Sequence, residues 1–256
     1  MKTPRISHFF SFKRFTDDLM PFLFAEFQAN QAKHLVLSAW WCERTLKEPD
    51  FLPQLQQLLK NAGLTLSGAH APFGRNYDLN AACPEKQQHL LKEHSKLLQL
   101  AADAGAESYT MHVGEFLPEY TREEQRSAAC RAIEKLLQTA EKHRIVLAIE
   151  NAEHPGGAWQ ELLFYRTKFA SAYFAFCYDS GHAHLTDPDS NKFETLNALL
   201  PDIFCAHLHD NDGKLDTHCL PGAGTIPWQQ LMPKLLAAPR LQSIQNEVNT
   251  VGYAVA

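Results

Sequence analysis

The chain has 256 residues, 45% of them hydrophobic and 21% charged, with a formal net charge of −5. This composition suits a soluble globular protein of one large domain or two small ones, and its acidic balance does not favour a nucleic-acid partner. No run of about 18 apolar residues is present to span a membrane, and the opening MKTPRISHFFSFKRF lacks the long apolar stretch of a secretory signal.

Apolar runs of strand length recur along the chain: RISHFF (5–10), HLVLSAWW (34–41), LTLSGAH (64–70), ESYTMHV (107–113), IVLAIEN (145–151), YFAFCYDS (173–180), IFCAHLH (203–209) and SIQNEV (243–248). Amphipathic helical stretches usually lie between them. EPDFLPQLQQLLKNAG ends on Gly63, and a segment opening at Pro84-Glu85 stops at Gly105. TREEQRSAACRAIEKLLQTAEKH carries acids early and bases late, as the helix dipole prefers. His89, His94 and His143 occupy polar positions in these helical patterns and are expected at the surface.

Near-continuous apolar strands alternating with helices predict a parallel sheet covered by helices. Eight such units fit a (β/α)8 TIM barrel, with residues 1–256 forming one domain. A doubly wound open sheet is the alternative, but no Gly-x-Gly-x-x-Gly follows an early strand. Six scattered cysteines (42, 83, 130, 177, 205 and 219) form no CxxC pair and read as reduced thiols of a cytoplasmic protein.

The segment HLHDNDGKLDTH (207–218) concentrates three histidines and three aspartates. A calcium loop fails on register, because Gly213 at the sixth position places Leu208 at the first and Cys219 at the twelfth, where carboxylates are needed. A polar turn is the simpler reading for Asp210-Asn-Asp-Gly213.

Barrel active sites lie at the C-terminal strand ends. His70, His112, Glu150, Asp179 with His182, His207 with His209, and Glu247 all fall at that end, on six consecutive strands. A lone histidine there is commonly structural. A carboxylate such as Glu150, Asp179 or Glu247 facing a barrel interior, however, carries a large desolvation cost unless paired or metal-bound. Carboxylates mixed with imidazoles suit zinc, manganese or cobalt and suit calcium poorly. Such an ion can polarise a carbonyl or hydroxyl, or, as zinc, generate hydroxide.

The motifs GAHAP, MHVG, AIEN, YDSGHAH, HLHDN and NEV resemble the xylose isomerase-like TIM barrel superfamily from about Ile6 to Val248. That superfamily holds sugar isomerases and epimerases together with zinc-dependent apurinic/apyrimidinic endonucleases. The resemblance implies a shared metal held by Glu150, Asp179, His207 and Glu247. His207 is chosen over His209 because the family ligand lies three residues before an acid, here Asp210. Period-two alternation otherwise points both the same way. Further ions, to a total of one to three, would use His70, His112, His182, Asp216 and His218, as in the endonuclease branch. The stretch HDNDGKLDTHCLPGAGTIPW, in contrast, is similar to putative sugar-phosphate isomerases.

The resemblance therefore implies a metal-dependent isomerase or epimerase acting on a sugar, sugar phosphate or related polyol. Glu150 and Glu247 would exchange a proton as base and acid while His182 polarises a substrate oxygen. His70, His112, Trp40 and His209 would contact the substrate. Strand two departs from the pattern, since many members carry a glutamate where HLVLSAWW has tryptophans. Trp40 and Trp41 either wall the pocket or pack in the barrel. The alternative function is a multi-zinc phosphodiesterase of the endonuclease type, for which Arg75 and Lys214 are the only basic residues near these loops. The partner expected is a small carbohydrate, with no membrane and no nucleic acid. The sequence neither requires nor excludes an oligomer.

Overall fold

The structure, a computed structural model, describes residues 3–10, 13 and 15–249. The first and last residues of the expected 1–256 domain lie outside that range. Eight parallel strands close into a barrel in chain order: β1 (Arg5–His8), β2 (His34–Leu37), β3 (Thr65–His70), β4 (Ser108–Met111), β5 (Val146–Glu150), β6 (Phe174–Asp179), β7 (Ile203–Leu208) and β8 (Ser243–Asn246). Closure comes from β1 pairing with β8, with Arg5 opposite Ser243 and His8 opposite Asn246. The expected TIM barrel is therefore the observed fold.

Nine α-helices among the described residues wrap the barrel: α1 (Met20–Ala29), α2 (Ala39–Lys47), α3 (Phe51–Asn61), α4 (Pro84–Asp103), α5 (Arg122–His143), α6 (Trp159–Arg166), α7 (Ser180–Thr186), α8 (Glu194–Leu199) and α9 (Trp228–Leu235). The best-signalled helix is α5. Thr121 and Glu124 form a reciprocal capping box at its start, and Lys142 and His143 sit in its last turn. Ala129, Ala132, Ile133 and Leu136 form its fully buried face, and burying each of the two larger ones is worth about 2 kcal/mol.

Two expectations are corrected. The run 34–41 is not one strand, because β2 stops at Leu37 and α2 begins at Ala39. Ser38 caps that helix by accepting a hydrogen bond from the Trp41 amide. Trp41 consequently points into the helix-facing core against Phe24 and Phe51, whereas Trp40 is turned toward the barrel mouth. His94 is also not a surface residue. It falls on the buried stripe of α4 with Leu90, Leu97, Leu98 and Ala101. Its Nδ1 lies 2.9 Å from the Tyr109 hydroxyl and its Nε2 lies 3.2 Å from the Tyr77 carbonyl.

Inside the barrel, Ala148, Cys177 and Cys205 form a separate small buried cluster. Each sits two residues before Glu150, Asp179 or His207 on its strand, and period two places both members of each pair on the same side. Small side chains thus floor the barrel directly beneath three of the ligand-type residues.

Candidate metal centre

Register brings the strand ends together: Glu150 pairs with Cys177, Asp179 with His207, and His207 with Gln245. The Glu150 carboxylate is central. Its Oε1 lies 2.8 Å from His207 Nδ1, and its Oε2 lies 3.0 Å from His112 Nε2 and 3.2 Å from His70 Nε2. Glu247 Oε2 approaches the same His207 Nδ1 at 2.9 Å. One ring nitrogen carries at most one proton, so it cannot donate well to two carboxylates at once. A divalent cation held by Glu150, His207 and Glu247 would relieve that competition.

A second group stands beside the first. Asp179 caps α7, with Oδ1 accepting the His182 amide at 2.7 Å, and this turn is what sets His182 next to Asp179. His209 Nε2 lies 3.1 Å from both Asp179 oxygens, and its ring stacks on His218 with centroids 3.7 Å apart. Asp216 Oδ2 lies 2.9 Å from His218 Nε2 and 3.4 Å from His182 Nε2. Gly181 permits this packing, because a Cβ there would fall 1.9 Å from His209 Cε1. His207 and His209, which period two aims alike, thus serve different groups.

Among the described residues five sets of ligand atoms lie within 4.8 Å of one another, including Glu150, Asp179, His207 and Glu247; His182, His209, Asp216 and His218; and His70, His112 and Glu150. The histidine tautomers fit metal ligation. Nδ1 of His70, His182 and His218 is held 2.8, 2.9 and 2.8 Å from the carbonyls of Ala71, Asn151 and Glu247. Each Nδ1–H therefore donates to backbone and leaves Nε2 facing the cluster, the arrangement that orients a ligating imidazole. Electrostatics agree. Burial disfavours charge on Glu150, yet His207 and His112 hold its carboxyl well below the usual range. Burial likewise opposes a proton on His207, but Glu150 and Glu247 push its basicity well above normal. Asp179, despite burial, is drawn down to about 2 by His182 and His209. The carboxylates are built to stay ionised and draw positive charge toward themselves.

The segment after β7 is a clasped loop. Asp210 and Cys219 exchange backbone hydrogen bonds of 2.8 Å each way. Asp210 is fully buried and accepts from the amides of Asn211, Gly222 and Ile226 and from Trp228 Nε1. Asp212 Oδ1 accepts from Lys214 and Leu215 amides, closing the turn with Gly213 at φ +76°. The clasp returns Asp216 and His218 over the barrel mouth.

Above the cluster opens a pocket of about 420 Å³. Asp78, Glu115, Glu153 and His154 line it, as does Arg75; apart from Arg75, sequence reasoning had not singled them out. They sit on βα loops, where no spacing rule signals a role. Burial and Glu115 raise the Asp78 carboxyl to about 6, and its side chain packs onto Gly114, where a Cβ would lie 2.4 Å from Asp78 Cβ. Trp40 lines an adjoining pocket with Phe73 and Glu247.

The closed parallel barrel is a TIM barrel, and its C-terminal mouth gathers carboxylates and imidazoles, a donor set that fits a divalent cation. The family model described as xylose isomerase-like TIM barrel matches residues 29–241, and the chain belongs to that family. Uncharacterized protein y4fM of Sinorhizobium fredii is 25% identical over 209 residues, covering 71% of this chain and 66%, just under two thirds, of its own length. Among solved structures, a D-tagatose 3-epimerase-like protein superposes with a TM-score of 0.79 at 18% identity, covering 95% of this chain and 91% of that one. A Thermus thermophilus protein soaked with zinc chloride gives 0.68 at 23% identity, with 95% and 91% coverage.

Proposed function

We propose that the protein is a metal-dependent isomerase or epimerase of a sugar, sugar phosphate or related polyol. The observation that carries this reading is the convergence of Glu150 Oε1 and Glu247 Oε2 on one nitrogen, His207 Nδ1, at the floor of a polar pocket. Glu150, Asp179, His207 and Glu247 would hold a zinc, manganese or cobalt ion, and such an ion polarises a bound carbonyl or hydroxyl so that the adjacent C–H becomes acidic. Glu150 ends β5 and Glu247 follows β8, so the two carboxylates approach a bound sugar from different strands. One removes a proton from carbon and the other returns it. His182 Nε2 faces the pocket, where it steadies a substrate oxygen, and His70 and His112 wall it while Trp40 walls the adjoining cavity. His209, expected to touch substrate, is instead wholly buried against His218 and lines neither. The D-tagatose 3-epimerase-like neighbour supports a carbohydrate substrate, and the zinc-soaked neighbour supports a divalent ion. Incubation of metal-loaded protein with ketoses and aldoses in D2O should introduce deuterium at carbon in at least one sugar. Absence of exchange across the panel sinks the proposal.

A second reading is favoured by a specific observation, the contiguity of those three ligand groups. Three adjoining sites suit a multi-zinc phosphodiesterase in which hydroxide attacks phosphorus. Elemental analysis decides: two or three ions per chain with nicking of abasic duplex supports it, and one ion without nicking removes it.

A further inference from the structure

The barrel mouth has a second lobe that adjoins the acid–imidazole cluster and extends away from it. Beside the polar pocket lies a cavity of about 390 Å³, walled by Phe9, Phe10, Trp40, Phe73 and Val248 with Lys13 at its edge. The two cavities share His70, Phe73, His218 and Glu247, so a ligand seated on the cluster can extend into the second without leaving the site. We propose that this lobe receives a flat apolar ring joined to the sugar, which makes the substrate a glycoside with an aromatic aglycone. Its sugar ring carries the carbonyl that proton transfer requires, and simple glycosides serve as unreactive binding probes. The inference rests on the carbohydrate reading given above.

The aromatic walls are fixed before any ligand arrives. Phe10 packs edge-on against Phe27 at 5.5 Å and stacks on Phe15. Phe9 lies edge-on to His207 at 5.0 Å, which ties the lobe's floor to the cluster. Trp41 anchors the first turn of α2 in the core, so its neighbour Trp40, about 100° around the helix, shows its indole to the lobe. Lys13 Nζ stands 5.4 Å over that ring, so a planar ligand on this face takes the place of an exposed, movable lysine. Phe73 is 57% exposed while stacking on His112 at 5.3 Å. An apolar ring in this lobe would take exposed aromatic surface of Trp40 and Phe73 out of water.

Other occupants fit less well. A second sugar ring would meet Lys13, His218 and Asn249 on one side, but hydroxyls turned toward Phe9, Phe10 and Val248 would face apolar side chains, and hydroxyls without partners are costly. An anion would meet Lys13 but also Glu247 on the same wall. A neutral planar ring meets neither objection.

The test is calorimetric titration of metal-loaded protein with 4-methylumbelliferyl glycosides (β-D-gluco, galacto and manno), the matching methyl glycosides, and free 4-methylumbelliferone. At least one umbelliferyl glycoside should bind about tenfold or more tightly than its methyl counterpart. Trp40→Ala or Phe73→Ala should erase that advantage, and Trp40→Phe, which keeps an aromatic face, should retain most of it. Equal affinities in the unmodified protein, or an advantage that survives both alanine substitutions, overturns the inference. Methyl glycosides binding while every umbelliferyl compound fails overturns the lobe alone. Trp40-dependent binding of free 4-methylumbelliferone with all glycosides failing keeps the apolar lobe and overturns the carbohydrate reading.

Discussion

His207 and His94 are both wholly buried, one at the barrel mouth and one between α4 and β4, yet their surroundings drive them in opposite directions. His207 faces Glu150 and Glu247, and the two carboxylates overcome burial and make it a strong base. His94 faces a tyrosine hydroxyl and a backbone carbonyl, so burial dominates and its basicity drops to about 4. The difference teaches that burial alone does not mark a functional histidine. The charge of what it faces does, and at the C-terminal strand ends that charge is carried by carboxylates facing imidazoles.

The comparison breaks most visibly at Glu150. Glu150→Gln removes the charge that three imidazoles share, and proton exchange into substrate should fall by about a thousandfold. Bound metal should decline with it, as read by deuterium incorporation and elemental analysis. An unchanged metal content would show that Glu150 is not a ligand.

Next in size is Gly181→Ala, which drives a methyl group into the His209 ring. Displacing that ring should cost about 2–3 kcal/mol in urea unfolding and weaken the group formed with His182, Asp216 and His218. Normal stability with unaltered metal stoichiometry would show that His209 can move freely.

The smallest effect sharpens the other side of the comparison. His94 is neutral when folded, with a basicity near 4 against an ordinary 6.5 when unfolded. The unfolded chain therefore binds the extra proton between these values, and stability falls as pH drops through that window. From pH 7 to 5 this single group removes about 2 kcal/mol. Unfolding curves of His94→Gln should lack that share of the acid sensitivity, and identical pH profiles for the two proteins would refute the assignment.

The fold was legible because eight apolar runs and their helices repeat one physical unit. The strand-end positions of Glu150, Asp179, His207 and Glu247 were legible because closure of the barrel leaves those residues nowhere else to point. The boundary of β2 was misjudged because Ala39, Trp40 and Trp41 continue an apolar run, although Ser38 carried the cap signal. His94 reads as polar on a helix, and only Tyr109 and Tyr77 across the interface explain its burial. The separate duties of His207 and His209 follow from where β7 ends, at Leu208, which alternation alone does not reveal. Asp78 and Glu153 sit on loops whose paths depend on Gly114 and its neighbours, a tertiary matter invisible to spacing.

The clasp between Asp210 and Cys219 has a consequence for how such a protein changes over evolutionary time. Two reciprocal backbone bonds and the buried Asp210 carboxylate secure the base of the loop independently of its tip. Residues between Gly213 and Leu215 can be lengthened, shortened or exchanged without touching a barrel strand. The Asp216–His218 pair beyond that tip is anchored from the other side as well, because His218 Nδ1 reaches the Glu247 carbonyl at 2.8 Å and its ring lies on His209, so a change at the tip leaves the pair held at both ends.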